Sequence, residues 1–466
     1  MAVLKPYPHA PADLRTDDGQ VKAQRDVVRR QIAAWEAALQ DDATRRSLQI
    51  AAVEDLRGRR YGMAMRQLVL HDDEFPVSPD RVLVRPDDVD QVTRDTRGRG
   101  AGYAPHPVQV RSPRLPNLRV VQDMGAGRRA ETRAYSAAAL QVCAATAQPS
   151  YAVMLGAIRK AVGGPELSGP PEGERWSRPE QAIGGPRVVV IDNGLSAEQR
   201  TDGWLQGLAR TDNLDLLDVV PRDDFLDRGA GHGTFVCGIV QQVAPGVDLD
   251  VRRALDTEGV GEDVEIGEQI VRAAEDGAEI INLSLGLFTP DGKPPFALLD
   301  AVGDAIEVAR RRGTHLLLVC AAGNSGDDRR CWPAAFSGQS YFPDHVVSVA
   351  ALRLDYRDET QVIDARWSTR GDWVTCSTLG QRVVSTYVMG TESREYDPQG
   401  PETFGSDAWA TWSGTSFAAP QVTGAIVRTM QEDPDILTAK DAFEELKGHG
   451  QQLFRGYGTS LRILPV

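Results

Sequence analysis

The chain has 466 residues, which is long for one domain and natural for two. Hydrophobic residues make up 41% and charged residues 25%, the balance of a folded, soluble protein with material for a large core. The formal net charge of -14 argues against nucleic-acid binding and against adhesion to anionic membranes, because both need a basic surface.

The amino terminus, MAVLKPYPHAPADL, has no apolar run of signal-peptide length, and no uninterrupted apolar stretch is long enough to cross a bilayer. The cysteines are Cys143, Cys237, Cys320, Cys331 and Cys376, an odd number, widely spaced and without a CxxC pair. That pattern predicts free, buried thiols in a reducing compartment, and so a cytoplasmic location.

The first predicted elements are helices within residues 21–57. Val28, Ile32, Trp35 and Leu39 share one helical face, and Leu48, Ala52 and Leu56 form another apolar stripe that stops at Gly58. They read as a packed pair, or as an arm for another domain or a regulatory partner. The acidic run Asp72-Asp73-Glu74 reads as a solvated turn. Arg81–Arg85 alternates as a strand should, Asp87–Arg97 suits a helix, and Val108–Val110 and Leu118–Gln122 suit strands. Arg128–Thr146 is alanine-rich and helical in character, and Tyr151–Leu155 returns as a strand. Strand, helix, strand, strand, helix, strand is the split βαβ order of a small ferredoxin-like domain.

Residues 163–186 are dense in Gly and Pro and are expected to resist both helix and sheet, as a linker does. The expected division is therefore a helical extension (1–76), a small α+β domain (77–162), a linker (163–186) and a larger domain (187–466). In that last part Arg187–Asp192 is a nearly continuous apolar run, as in a strand buried on both faces. Helical Val264–Asp276 precedes strand-like Glu279–Leu285, and helical Leu298–Arg312 precedes strand-like Thr314–Ala321. His345–Leu352 is a further strand. This alternation predicts an α/β domain with a parallel, doubly wound sheet.

In such sheets ligands gather at the carboxyl ends of the strands. Asp192 closes RVVVID there, and Asn324 follows the strand THLLLVCAA within Gly323-Asn324-Ser325-Gly326. His232 lies in GHGT before the helical run Phe235–Val243, and Ser416 lies in SGTS before Phe417–Met430. Pro420 is expected in the first turn of that last helix, where a missing N–H costs little. Ser416 would then sit at a helix N-terminus, which favours developing negative charge. A serine hydroxyl needs a neighbouring base, and the base needs a carboxylate to hold its tautomer. Taken singly, Asp192 could cap a strand, His232 could be a satisfied helix-start histidine, and Ser416 could be an N-cap. His9, His71, His106, His315, His345 and His449 carry no such setting.

Together these residues resemble the subtilisin-like serine peptidases, the subtilase family. VVVIDNG around Asp192, GHGTFVCGIV around His232 and GTSFAAPQVTG around Ser416 stand in the family's order. The resemblance covers roughly residues 184–466 and implies peptide-bond hydrolysis through an acyl-enzyme on Ser416. His232 would be the general base, Asp192 its orienting carboxylate, and Asn324 with the Ser416 N–H the oxyanion donors. By the same resemblance Ser284, Leu285 and Gly286 would pair with the substrate backbone on one side and Gly259, Val260 and Gly261 on the other, with Gly323 and Cys331 in the pocket before the scissile bond.

Two positions depart from the family pattern: Asn193 replaces the usual Ser or Thr, and Phe235 replaces a second histidine. Cys331, small and uncharged, suggests room for an apolar or uncharged substrate residue. Cys237 and Cys320 read as packing residues. The resemblance allows calcium, but no calcium loop is assignable and no other cofactor is expected. The α+β domain resembles a subtilase propeptide, whose end would enter the cleft and be cut in or before the linker; a regulatory domain of unrelated origin is the other reading. For the whole chain, the alternative to a restrained endopeptidase is a non-catalytic subtilase-like interaction module. A sedolisin is disfavoured, because it carries glutamate where His232 stands.

Overall fold

The structure, a computed structural model, describes residues 69–71, 75–90, 107–111, 114–123, 147–155, 165–171, 185–210, 213–219, 223–355, 358, 360–393 and 401–464. The expected helices within 21–57, over 128–146 and over most of 87–97 lie outside the described residues, as do Cys143 and Asp72-Asp73-Glu74.

Strands β1 (Val69–His71), β2 (Phe75–Val84), β3 (Pro107–Arg111), β4 (Arg119–Asp123) and β5 (Ala147–Leu155) form an antiparallel sheet in the order β5-β2-β4-β3, with β1 beside β2. Val82, Val84, Val121 and Ala147 make a small apolar cluster between neighbouring strands.

Strand β6 (Glu166–Ser168) lies inside the Gly/Pro-rich stretch that was expected to resist sheet. It pairs with a later strand, Thr411 opposite Glu166 and Trp409 opposite Ser168. The reason is local: Glu166, Leu167 and Ser168 are three consecutive residues free of Gly and Pro, so each can join a ladder.

The larger body holds β7 (Val188–Asp192), β8 (Leu195–Ser196), β9 (Leu214–Asp215), α1 (His232–Val243), β10 (Leu249–Arg253), β11 (Val260–Glu262), α2 (Asp263–Glu275), β12 (Ile280–Leu283), β13 (Leu285–Gly286), α3 (Phe296–Arg311), β14 (Leu317–Ala321), β15 (Val346–Leu354), β16 (Val362–Asp364) and β17 (Cys376–Leu379). It continues through β18 (Val383–Thr386), β19 (Gly390–Thr391), β20 (Thr403–Phe404), β21 (Trp409–Trp412), α4 (Thr415–Glu432), α5 (Ala439–Gly448) and β22 (Thr459–Ser460). The main sheet runs β10-β7-β12-β14-β15-β17-β22, parallel throughout, with β16 antiparallel on β15.

Both faces of this sheet are covered, as the apolar strands require. In β7, Val188 and Val190 pack with Phe235 and Val240 of α1 and Val422 of α4. Val189 and Ile191 face the other way, toward Ile270 of α2 and Leu298 of α3. Full burial of such side chains stabilises by about 1.5–3 kcal/mol each.

Some boundaries move for physical reasons. Helix α1 starts at His232 rather than Phe235, because Gly231, at φ +80°, turns the chain into it. Strand β14 starts later than Thr314, whose N–H bonds back to Ala309 O and closes α3.

Candidate active site

Asp192 is the last residue of β7 and His232 the first of α1, and both are fully buried. His232 Nδ1 lies 2.8 Å from Asp192 Oδ1, which also accepts the Asn193 N–H at 2.8 Å. Charge-assisted bonds of this kind fix an imidazole's orientation. Nε2 of His232 is buried and has no hydrogen-bond partner among the described residues. The ring stands edge-on to Trp412 at 5.6 Å and 5.3 Å from Phe417. Phe235, where the family often has histidine, packs on those same two rings.

Ser416 is the second residue of α4 and is fully buried. Its Oγ donates to Ser284 O at 2.8 Å, and no bond joins it to His232 in this state. Ser284 Oγ in turn donates to Ser416 O at 2.8 Å. Pro420 explains why that carbonyl is open. The helix begins at Thr415, so Pro420 falls beyond the first turn, and the carbonyl left without its helical N–H is that of Ser416, four residues earlier. Asn282 Nδ2 donates to Ser284 Oγ at 3.0 Å, and Thr423 Oγ1 donates to Asn282 Oδ1 at 3.0 Å. A buried polar chain thus runs from the middle of α4 to Ser416.

Asn324 follows β14, and its Oδ1 accepts from Thr415 N at 3.0 Å and Thr415 Oγ1 at 2.9 Å. Gly323 donates its N–H to Thr415 Oγ1 at 3.1 Å. Cys331 is buried, and a Cβ on Gly286 would lie 2.5 Å from its Sγ, one on Gly323 3.0 Å. These three residues therefore share one wall. Burial pushes the Cys331 thiol up to about 12, so it stays protonated at neutral pH.

The edges formed by residues 259–261 and 284–286 are not empty: β5 lies between them. Met154 pairs with Val260 and Gly286, Leu155 with Leu285, and Val153 with Gly261, all antiparallel. Leu155 N donates to Gly259 O at 3.1 Å. Gly259 has φ +80°, and a Cβ there would collide with the Leu155 side chain. Val153 sinks into the cluster of Leu255, Val264, Leu285 and Leu287, while Ala152 packs on Val260.

More contacts tie this strand down. Gln148 Oε1 accepts the Phe296 N–H at the start of α3 at 2.7 Å. Ser150 Oγ donates to Asp263 Oδ1 at 2.8 Å, at the start of α2. Asp263 is fully buried, its Oδ2 is without a partner among the described residues, and burial pushes its carboxyl up to about 8. Arg85, in the segment after β2, pairs with Asp300 and lies over the Phe296 ring at 4.7 Å. Asp215, buried beside the His232 loop, is pushed up by burial to about 6 against the opposing N–H bonds of Gly231 and Leu217.

The motifs did not point to Trp412, Asp215, Asn282 or Asp263. Trp412 directly precedes the SGTS motif, and the other three carry no local signal. Cys237, Cys320, Cys331 and Cys376 are free and buried. Among the described residues no group of three or more His, Cys, Asp or Glu gathers as a metal site would.

Residues 185–449 match a family model described as the subtilase family. A thermophilic serine proteinase from Bacillus sp. strain AK1 is 28% identical over 273 residues, 56% of this chain and 56% of that protein. Thermitase from Thermoactinomyces vulgaris is 26% identical over 256 residues, 52% of this chain and 73% of its own. The minor extracellular protease Epr of Bacillus subtilis (strain 168) is 29% identical over 260 residues, 32% of its length. The chain thus spans about half of the first of these relatives and about a third of the last. Among solved structures, fervidolysin from Fervidobacterium pennivorans, a keratinolytic enzyme related to subtilisin, superposes with a TM-score of 0.56 at 18% identity. That match covers 85% of this chain and 61% of the other, a likeness of fold.

Proposed function

Because the chain belongs to the subtilase family, we propose that it is a serine endopeptidase restrained by its own amino-terminal region. The observation that carries the reading is the buried His232–Asp192 pair at 2.8 Å beside a helix that presents Ser416.

In the proposed reaction Ser416 Oγ leaves Ser284 O by rotation about its Cα–Cβ bond and is deprotonated by His232 Nε2. It attacks the scissile carbonyl, whose oxygen becomes an oxyanion. The Ser416 N–H at the helix start and the amide NH₂ of Asn324 stabilise that charge. His232 then returns the proton to the leaving amine, and Asp192 holds the ring through both steps. Water attacks the acyl-enzyme, and its proton passes by way of His232 back to Ser416.

The substrate would lie as an extended strand between residues 259–261 and 284–286, a mode that draws affinity from main-chain bonds. A neutral Cys331 in the wall with Gly286 and Gly323 suits an apolar or uncharged residue before the scissile bond. A cleavage profile dominated by Arg or Lys at that position would sink this assignment.

The restraint is read from β5, which takes the pairing positions proposed for substrate. The order β5-β2-β4-β3 supports the split βαβ, propeptide-like reading of the small domain. The buried free thiols support a reducing, cytoplasmic setting. The test is covalent labelling by a fluorophosphonate reagent. The full chain should be labelled at Ser416 slowly, and faster once residues 1–180 are cut away. Absence of labelling in both forms would contradict the reading.

A further inference from the structure

We propose that Asn193 is a positioning residue, which with Asp215 fastens the loop carrying His232 to the strand end carrying Asp192. The inference rests on the peptidase reading for its catalytic consequence, but the geometry stands by itself.

Asn193 directly follows Asp192 and is fully buried. Its Nδ2 donates to Gly229 O at 2.6 Å and to Asp215 Oδ2 at 3.2 Å. Its Oδ1 accepts the Gly233 N–H at 2.8 Å. Asp215, 3% exposed at the end of β9, accepts the Gly231 N–H on Oδ2 at 2.7 Å. Strand β9 is itself held beside β8, with Leu195 opposite Leu214 and Ser196 opposite Asp215. The two side chains therefore hold Gly229, Gly231 and Gly233, every second residue of the turn into α1. His232 lies between the last two and reaches Asp192 Oδ1 at 2.8 Å.

The residue type matters. The turn offers Asn193 a carbonyl on one side and an N–H on the other. An amide meets both at once with its two ends, and donates to Asp215 as well. A serine or threonine here would have a single O–H and could not donate to both Gly229 O and Asp215 Oδ2. Asn193 also donates its own N–H to the same Asp192 oxygen that His232 uses. One residue thus sets the position of both members of the pair. A displacement of about 1 Å in such a constellation costs on the order of a hundredfold in rate.

The test compares the wild-type full chain with Asn193→Ala and Asn193→Ser. Two quantities are read: kcat and KM on a short peptide substrate, and the far-downfield proton resonance of a His Nδ1–H held by a carboxylate. Asn193→Ala is expected to lower kcat by about ten- to a hundredfold with KM nearly unchanged, and to broaden or abolish the resonance. Asn193→Ser, which restores one donor and is the safer fold, recovers part of both. An unchanged kcat with the resonance intact overturns the proposal, and so does a parallel change in kcat and KM with the resonance intact. If the wild type cleaves nothing even after residues 1–180 are removed, the peptidase reading falls, and the resonance comparison still decides the positioning role.

Discussion

Asn324 uses the two ends of its amide for different things: Oδ1 holds the start of α4 through Thr415, and the NH₂ is the proposed oxyanion donor. Substitutions can separate these. Asn324→Asp keeps an oxygen toward Thr415 and loses the donor. Its kcat is expected to fall by about 10²- to 10³-fold, with a smaller drop in melting temperature than Asn324→Ala shows. Steady-state kinetics and thermal melts check this. The placement of Asp192, His232, Asn324 and Ser416 at or near strand and helix ends was legible in the sequence, because each stands in a short glycine-edged motif. Asp215 was not, because its bond to Asn193 joins residues 22 apart, and no local pattern marks Asp215 itself. The role of Pro420 was misplaced for a related reason: its consequence depends on where α4 begins, and that is fixed by Thr415 and Asn324.

At the level of elements, β5 joins the small sheet to β11 and β13 of the larger body. Val153 is fully buried against Leu255, Val264, Leu285 and Leu287. An unpaired charge in such a place costs several kcal/mol, more than the roughly 1.5–3 kcal/mol that burial of the native side chain supplies. Val153→Asp should therefore expel the strand and raise the initial rate of the full chain on a peptide substrate.

Asp263 adds a pH dependence. Its carboxyl is held up to about 8 while β5 covers it, with Glu262 raising it further and Ser150 Oγ and the N–H groups of Tyr151 and Val264 opposing. Without β5 over it, the carboxyl should fall back toward its ordinary value of 3.8. The docked form then binds the extra proton, so docking is strongest at low pH and weakens as pH rises from about 4 to about 8. Inhibition of the catalytic part by a peptide of residues 147–155 should weaken over that window and level off above it. With Asp263→Asn the slope should disappear. A slope that survives that substitution would assign the effect to another group. The pairing of β5 with β11 and β13 could not be read from local pattern. The strand character of Tyr151–Leu155 was visible, but its partners lie more than a hundred residues away.

Across the whole molecule, the doubly wound body follows from apolar strand runs alternating with helical stretches, and the match over residues 185–449 agrees with it. The β6–β21 pairing was hidden, because Gly and Pro around Glu166–Ser168 masked three residues able to join a ladder. Taken together, the two halves describe a subtilisin-like fold in which β5 of the small sheet pairs with β11 and β13, the edges proposed for substrate. The most direct test incubates the full chain and its Ser416→Ala variant with an unstructured protein and identifies the products by mass spectrometry. The account predicts cleavage by the wild type alone, at sites preceded by apolar or uncharged residues. Equal products from both chains, or none from either even after residues 1–180 are removed, would contradict it.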